Sequence, residues 1–385
     1  MAPLGCALHA RLAGFYLAYF AVIGALVPYW AVYLRGRGFD ERDIGALMAL
    51  LAITRVIAPQ VWGWLADHGA GRIRLIRLGA FLAGACFAGL LLPGGFFWVA
   101  LVMLLFSFFW NAVLPQFEVV TLGHLGAASH RYTHVRVWGS VGFILSVLAL
   151  GPFIEAHGAA WLPQFLLLLF ALAWLFSFVT PEPPPQPAVA SSMPMRQALR
   201  RPAVWVLLAA ALFTQMGHGA YYSFYTLYLS DAGHGKGLIG AFWALGVGAE
   251  ILLFLVMHRI LARHSPWRVM QLALVLTTLR WALIASAAQQ PAVLALAQLL
   301  HAASFGAMHA AAIHLVHQLF PGRLQGRGQA LYSGLGMGLG NALGSWLSGL
   351  FYAAAGGAAL FWAASGLGLV SVAVVHRYSS SRHEH

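Results

Sequence analysis

The sequence predicts an all-α integral membrane protein of twelve spans, arranged as two six-helix halves. Three observations predict it. Of 385 residues, 61% are apolar and only 8% charged, whereas a soluble domain carries about 25% charged residues to cover its surface in water. The apolar residues fall into runs of about 20, the length that a helix rising about 1.5 Å per residue needs to cross the hydrocarbon core. One long hydrophilic break, TPEPPPQPAVASSMPMRQALRRP at 180–202, divides the chain near its middle. Its prolines, arginines and serine pair cannot continue a buried helix, so it reads as a solvated linker.

Taken in order, the first half places spans near 12–34, 44–66, 76–93, 96–118, 136–155 and 160–180. The second places them near 203–229, 238–257, 268–288, 291–317, 327–354 and 357–377. Arg11 runs straight into a first span of more than 20 residues and a second span follows closely, which describes a transmembrane helix rather than a cleaved signal peptide. Pro93-Gly94-Gly95 and Gln289-Gln290-Pro291 supply turn chemistry where two spans nearly touch. The domains are therefore an N-terminal bundle at 1–180, a cytoplasmic linker at 181–202, and a C-terminal bundle at 203–385 with a short cytoplasmic tail. Equal span counts suggest internal duplication. A faint echo supports it: PYWAVYLRGRG ends span 1, YSFYTLYLSDAG ends span 7, and the next spans open Ile44-Gly45 and Ile239-Gly240.

Charge sets orientation. With both termini inside, Arg11, Arg72, Arg74, Arg77, Arg131, Arg136, Arg196, Arg200, Arg201, Arg259, Arg263, Arg268, Arg323, Arg327, Arg377 and Arg382 lie at the cytoplasmic side. The outer loops hold only Arg35, Arg37, Arg42 and Lys236. The net charge of +12 does not signal nucleic acid, because the basic residues sit in short gaps between apolar runs rather than along one face. Two cysteines, Cys6 and Cys86, imply neither a disulfide framework nor a metal site.

Ionisable groups in mid-membrane are costly and mark either buried pairs or an aqueous path. They are Arg55 in span 2, Glu118 in span 4 and Arg136 opening span 5; then His218 in span 7, Glu250 in span 8, Arg280 in span 9, and His301 and His309 in span 10. An acid that binds a proton when its partner leaves meets the physical requirement for proton coupling. An arginine offers a planar fork to a carboxylate. The plainer alternatives are buried ion pairs that pin helices and histidines satisfied in the core. His309, His314 and His317 follow no zinc pattern, and no metal or other cofactor is expected. GLGMGLGNALG at 334–344 follows no strand and reads as a close-packing face. Tyr19, Phe20 and Tyr222 fall deep enough to line an apolar cavity. Without HExxH, GxSxG or Walker motifs, a polytopic membrane enzyme is the remote alternative.

GWLADHGAGR at 63–72 resembles the loop signature between spans 2 and 3 of the major facilitator superfamily, through Gly63, Asp67, Gly71 and Arg72. It departs by one extra residue and by His68. VPYWAVYLRGRG, RVWGSVGFI, GHGAYYSFYTLYL, FWALGVGAEILLF, LRWALIAS and LHAASFGAMHAAA, spread along the chain, resemble the 3-phenylpropionate permease family. More distantly the chain is similar to sugar–proton symporters of the lactose permease type. Glu118 and Arg136 match their sugar-binding pair, while Glu250, Arg280 and His301 match their acid, arginine and histidine in spans 8, 9 and 10. Phe143 stands where that family stacks a tryptophan on sugar, and Ser304 replaces its proton-carrying glutamate.

These resemblances imply the major facilitator fold and proton-coupled uptake of a small aromatic carboxylate by alternating access. Arg136 or Arg280 would hold the carboxylate, with Phe20, Tyr222 and Phe143 flanking the ring. Glu118 and Glu250 would carry protons, modulated by His301. The expected setting is a monomer in a bacterial cytoplasmic membrane, whose partners are a small molecule, protons and lipid. Sugar or nucleoside symport is the alternative.

Overall fold

A computed structural model describes residues 6–183, 195–322 and 324–381. Every regular element among them is helical. The first half comprises α1 (Cys6–Gly36), α2 (Glu41–Asp67), α3 (Arg72–Phe87), α4 (Phe96–Leu125), α5 (Tyr132–His157) and α6 (Leu162–Val179). A short α7 (Met195–Leu199) precedes α8 (Pro202–Asp231), α9 (Lys236–Arg263) and α10 (Pro266–Ser286). Then come α11 (Pro291–Leu299), α12 (Met308–Leu319), α13 (Leu324–Leu331) and α14 (Gly340–Ser381). π-helical stretches at Ala302–Ala307 and Tyr332–Leu339 join α11 to α12 and α13 to α14.

Eleven helical runs among the described residues are long and apolar enough to cross a membrane. The last, Leu324–Ser380, has 57 residues, or about 85 Å of helix against a core of about 30 Å. It is two spans. Gly356, at φ 80° and ψ 175°, breaks it where the sequence predicts the gap between 354 and 357; a left-handed φ of that size suits a residue without Cβ. The outer faces stay apolar, with Phe97 87% and Leu252 67% exposed, as hydrocarbon requires.

The chain forms two compact units. One holds Met1–Phe39, Leu50–Pro187 and Gly235–Ala244; the other holds Asp40–Ala49, Ala188–His234 and Leu245–His385. The opening turns of α2 and α9 thus depart from a division at the linker. In the first unit Glu155 of α5 accepts a hydrogen bond from the Gly237 amide at 2.9 Å, which fixes the start of α9 there. In the second unit the start of α2 reaches Gly349, whose Cα would lie 2.6 Å from a Cβ on Gly45.

The glycine-rich run at 334–344 packs as its spacing predicts. A Cβ on Gly336 would sit 2.7 Å from the Ala211 Cβ, and one on Gly340 would sit 2.7 Å from the Leu212 carbonyl. Gly344 lies against the Met216 backbone. Positions four apart therefore form one strip along α8, where small residues let backbones approach.

The linker holds more structure than a solvated coil. Residues 184–194 lie outside the described residues, as do Arg323 and Arg382 of the orientation argument. Met195–Leu199 is helical, and its Ala198 is fully buried in the core of the second unit. The segment MRQAL combines good helix formers with three apolar residues to bury, Met195, Ala198 and Leu199, which explains the extra turn. At the other end of the linker, Glu182 accepts from the Arg72 and Ile73 amides at 2.8 and 3.1 Å, satisfying orphan donors at the start of α3.

Candidate functional site

Each unit contains a polar cluster built around an arginine, an acid and aromatic rings or histidines. In the first unit three helices each contribute residues of one face: Tyr16 and Phe20 from α1, Glu118 and Thr121 from α4, and Tyr132 and Arg136 from α5. Tyr132 donates to Glu118 Oε1 at 3.1 Å, and Tyr16 donates to Thr121 Oγ1 at 3.3 Å. The Arg136 guanidinium lies 3.8 Å from the Phe20 ring centre and 5.6 Å from that of Tyr16. Cation–π attraction holds it over those rings. Among the described residues no protein acceptor takes its N–H groups, and both Arg136 and Glu118 are only half-buried. A half-buried guanidinium with an unengaged N–H fork beside an aromatic surface can receive a carboxylate and the ring attached to it.

The second cluster is closed. Arg280 on α10 is 0% exposed. Its Nε donates to the Ala297 carbonyl at 3.1 Å, Nη1 to Ser304 Oγ at 3.0 Å and Nη2 to Gln298 Oε1 at 3.4 Å. The rings of Tyr221 and Trp281 flank the guanidinium at 4.3 and 4.4 Å. Tyr221 also donates to Gln298 Oε1, at 2.9 Å. Glu250 on α9 faces His301 Nε2 at 3.6 Å. His218 lies 6.2 Å from His301, ring to ring, and bonds through Nδ1 to the Thr214 carbonyl at 2.9 Å. The π-helical stretch between α11 and α12 sets Ser304 against Arg280 and stacks Phe305 between His301 and His309, at 5.7 and 5.9 Å. His309 Nδ1 meets the Tyr332 hydroxyl at 3.1 Å.

Several expectations change. Arg280 is wholly enclosed: neutral oxygens and ring faces occupy it, and no carboxylate touches it among the described residues. Arg55 is exposed rather than buried. Its neighbour Thr54 takes the packed face of α2, bonding Ser107 at 3.0 Å and Asn111 at 2.8 Å, and one residue further turns position 55 about 100° away. His309 is half-buried, not fully enclosed. Phe143 is buried two turns along α5 from Arg136, 6.4 Å from Trp243, and does not stack with Phe20. Tyr222 lies 5.9 Å from His218 and belongs to the second cluster.

The loop signature closes as a unit. Arg72 Nη2 pairs with Asp67 Oδ1 at 2.9 Å, and Nη1 reaches Gln116. Gly63 flanks Gln116 on α2, and Gly71 precedes the first turn of α3. Sequence reading did not find Tyr16, Thr121, Tyr132, Tyr221 and Gln298. For all but Tyr16, the signal available was their i, i+3 or i, i+4 spacing from titratable residues on the same stretch of helix, as with Tyr132 and Arg136.

The model of the MFS_1 like family matches residues 9–363. The chain is 28% identical over 350 residues to the probable 3-phenylpropionic acid transporter of Escherichia coli (strain K12), covering 88% of this chain and 89% of the relative. It is 27% identical over 336 residues to the maltose permease of Geobacillus stearothermophilus, covering 86% and 84%. The crystal structure of a mutant of the nucleoside transporter NupG superposes with a TM-score of 0.84 at 18% identity, covering 96% of this chain and 99% of that one. At that identity the likeness shows a shared fold.

Proposed function

The chain belongs to the MFS_1 like family, a family of multi-pass membrane transporters, and on that premise we propose that it takes up a small aromatic carboxylate of the 3-phenylpropionate kind together with protons. The observation that carries this reading is the half-buried Arg136 seated over Phe20, with its N–H fork unengaged. A carboxylate satisfies that fork, and an aromatic ring extends the stack that Phe20 and Tyr16 begin. The printed name of the E. coli relative supports the same substrate class. Glu118, bonded to Tyr132 near Arg136, is a proton carrier in this reading; Glu250, facing His301, is the other. The protein works as a monomer in a bacterial cytoplasmic membrane with both termini inside, as the arginine distribution supports.

The test is uptake by purified protein in proteoliposomes under an inward proton gradient. Labelled 3-phenylpropionate accumulates, and a protonophore collapses the accumulation. Glu250→Gln abolishes accumulation and retains exchange down a gradient. Absence of both accumulation and exchange with folded wild-type protein removes the substrate assignment.

The printed name of the maltose permease supports a second reading, sugar symport, in which Glu118 and Arg136 bond hydroxyls. Nucleoside symport is the other form of that alternative. Competition by thiodigalactoside or uridine, and none by phenylpropionate, selects between them.

A further inference from the structure

Among the described residues, the buried polar atoms of the second cluster include His218 Nε2, His301 Nδ1 and Gln298 Nε2, for which no hydrogen-bond partner is found. Their chemistry can be assigned. The Thr214 carbonyl can only accept, so His218 carries its hydrogen on Nδ1 and presents Nε2 as a bare lone pair. His301 turns Nε2 to the Glu250 carboxylate, which places its hydrogen there and leaves Nδ1 bare. Gln298 has spent its oxygen on Tyr221 and Arg280, so its amide nitrogen, near the Tyr225 hydroxyl, is left as a donor without a well-formed hydrogen bond. Two acceptors and one donor thus lie unsatisfied in one place, and leaving them so would be costly.

The three groups adjoin. The two imidazole rings are 6.2 Å apart, a separation that lets facing nitrogens sit about 5.5 Å apart, the span of two hydrogen bonds through one oxygen. Gln298 stands beside His301, since a Cβ on Gly246 would touch both, at 3.2 Å from Oε1 and 3.4 Å from the His301 Cβ. A solute hydroxyl donates once and cannot serve both imidazoles. A water donates twice and accepts from the amide, satisfying all three atoms.

We propose that His218, His301 and Gln298 hold one buried water, and that this water joins His218 to Glu250 through His301. The proposal rests on the reading of Glu250 and His301 as proton carriers and adds His218 as the group that hands the water its proton. When His218 has taken up a proton on Nε2, that proton passes to the water. The water gives one of its own hydrogens to His301 Nδ1, and His301 releases its Nε2 hydrogen to Glu250; the water and His301 each gain one proton as they lose one. The titratable and charged groups around the water are Glu250 on α9, Arg280 on α10, and Tyr221, Tyr222 and Tyr225 on α8, while His309 lies beyond the Phe305 ring. The α14 helix presents the neutral Asn341 and Ser345 to α8.

Two measurements on the full chain test it, and neither uses a transported solute, so a failed uptake assay is a separate result. A high-resolution experimental map is expected to show one oxygen within about 3.2 Å of all three atoms. Empty space there, or rings turned so that each bare nitrogen meets a protein donor, overturns the proposal. Infrared titration of the Glu250 carboxyl band, assigned by its loss in Glu250→Gln, is expected to shift its midpoint by about one pH unit in His218→Phe. An unmoved midpoint in folded His218→Phe overturns the link to Glu250. Should that variant not fold, the wild-type map alone decides.

Discussion

Arg136 and Arg280 are the same residue in comparable company, each on a long apolar helix with aromatic rings and an acid nearby, yet the two units use them differently. Arg136 is half-buried and rests on the faces of Phe20 and Tyr16, with Glu118 near it and no hydrogen-bond acceptor on its N–H groups among the described residues. Arg280 is wholly buried, and each of its nitrogens donates to a neutral oxygen. A buried cation without a carboxylate is held by many modest contacts, and removing it takes a donor from several acceptors at once. A cation resting on rings strands none. On the proposed reading, the contrast separates an arginine open to a ligand from one that ties helix α10 to α11.

Removing Arg280 is the strongest way to break that contrast. Arg280→Met takes a donor from the Ala297 carbonyl and Ser304 Oγ, while Gln298 Oε1 keeps Tyr221, and it is expected to cost about 3 kcal/mol, read as a large fall in the thermal unfolding midpoint in detergent. Arg136→Ala is expected to leave the midpoint nearly unchanged and to remove uptake of labelled phenylpropionate. The opposite pattern, with an unstable Arg136→Ala and a transporting Arg280→Met, would reverse the roles of the two arginines. Gly139→Ala sharpens the same point more gently. Its Cβ would lie 2.7 Å from the Phe20 ring and 2.8 Å from Arg136 Nη1, so the guanidinium must shift. We expect KM to rise about tenfold, the equivalent of about 1.4 kcal/mol, with the unfolding midpoint retained; an unchanged KM would detach Arg136 from substrate. The smallest effect belongs to Tyr132→Phe, which deletes one hydrogen bond to Glu118 worth about 1 kcal/mol. It should lower uptake severalfold and shift the pH at which uptake is half-maximal, whereas a stability change alone would assign Tyr132 to packing.

Much of the fold was legible because hydropathy needs only length and composition. The Gly356 break and the glycine strip on α8 could be placed from residue type alone. The site was legible only in part. Charged residues in apolar runs announce themselves, which is how Glu118, Arg136, Glu250, Arg280 and His301 are found. Their exposure does not. Arg55 and Arg280 look alike in sequence, and only the packed faces of α2 and α10 show one exposed and the other enclosed. Nor does apolar patterning announce neutral partners: Gln298 and Ser304 matter because they bond Arg280, across helices, at a separation that no periodicity encodes. The π-helical stretches escape a hydropathy window for a related reason, since widening a turn by one residue changes neither length nor composition appreciably.

Those widened turns have a geometric consequence. In an α-helix a side chain four positions on is advanced by about 40°; in a π-helical turn of about 4.4 residues it lags by a similar amount. Between α11 and α12 the two errors oppose each other, and His301, Phe305 and His309 line up as a column, with neighbouring rings inclined by only 10°. Deleting one residue from Ala302–Ala307 would therefore act as a twist rather than a shortening. It would swing everything beyond by about 100° and carry His309 off Tyr332 while the span still crossed the membrane.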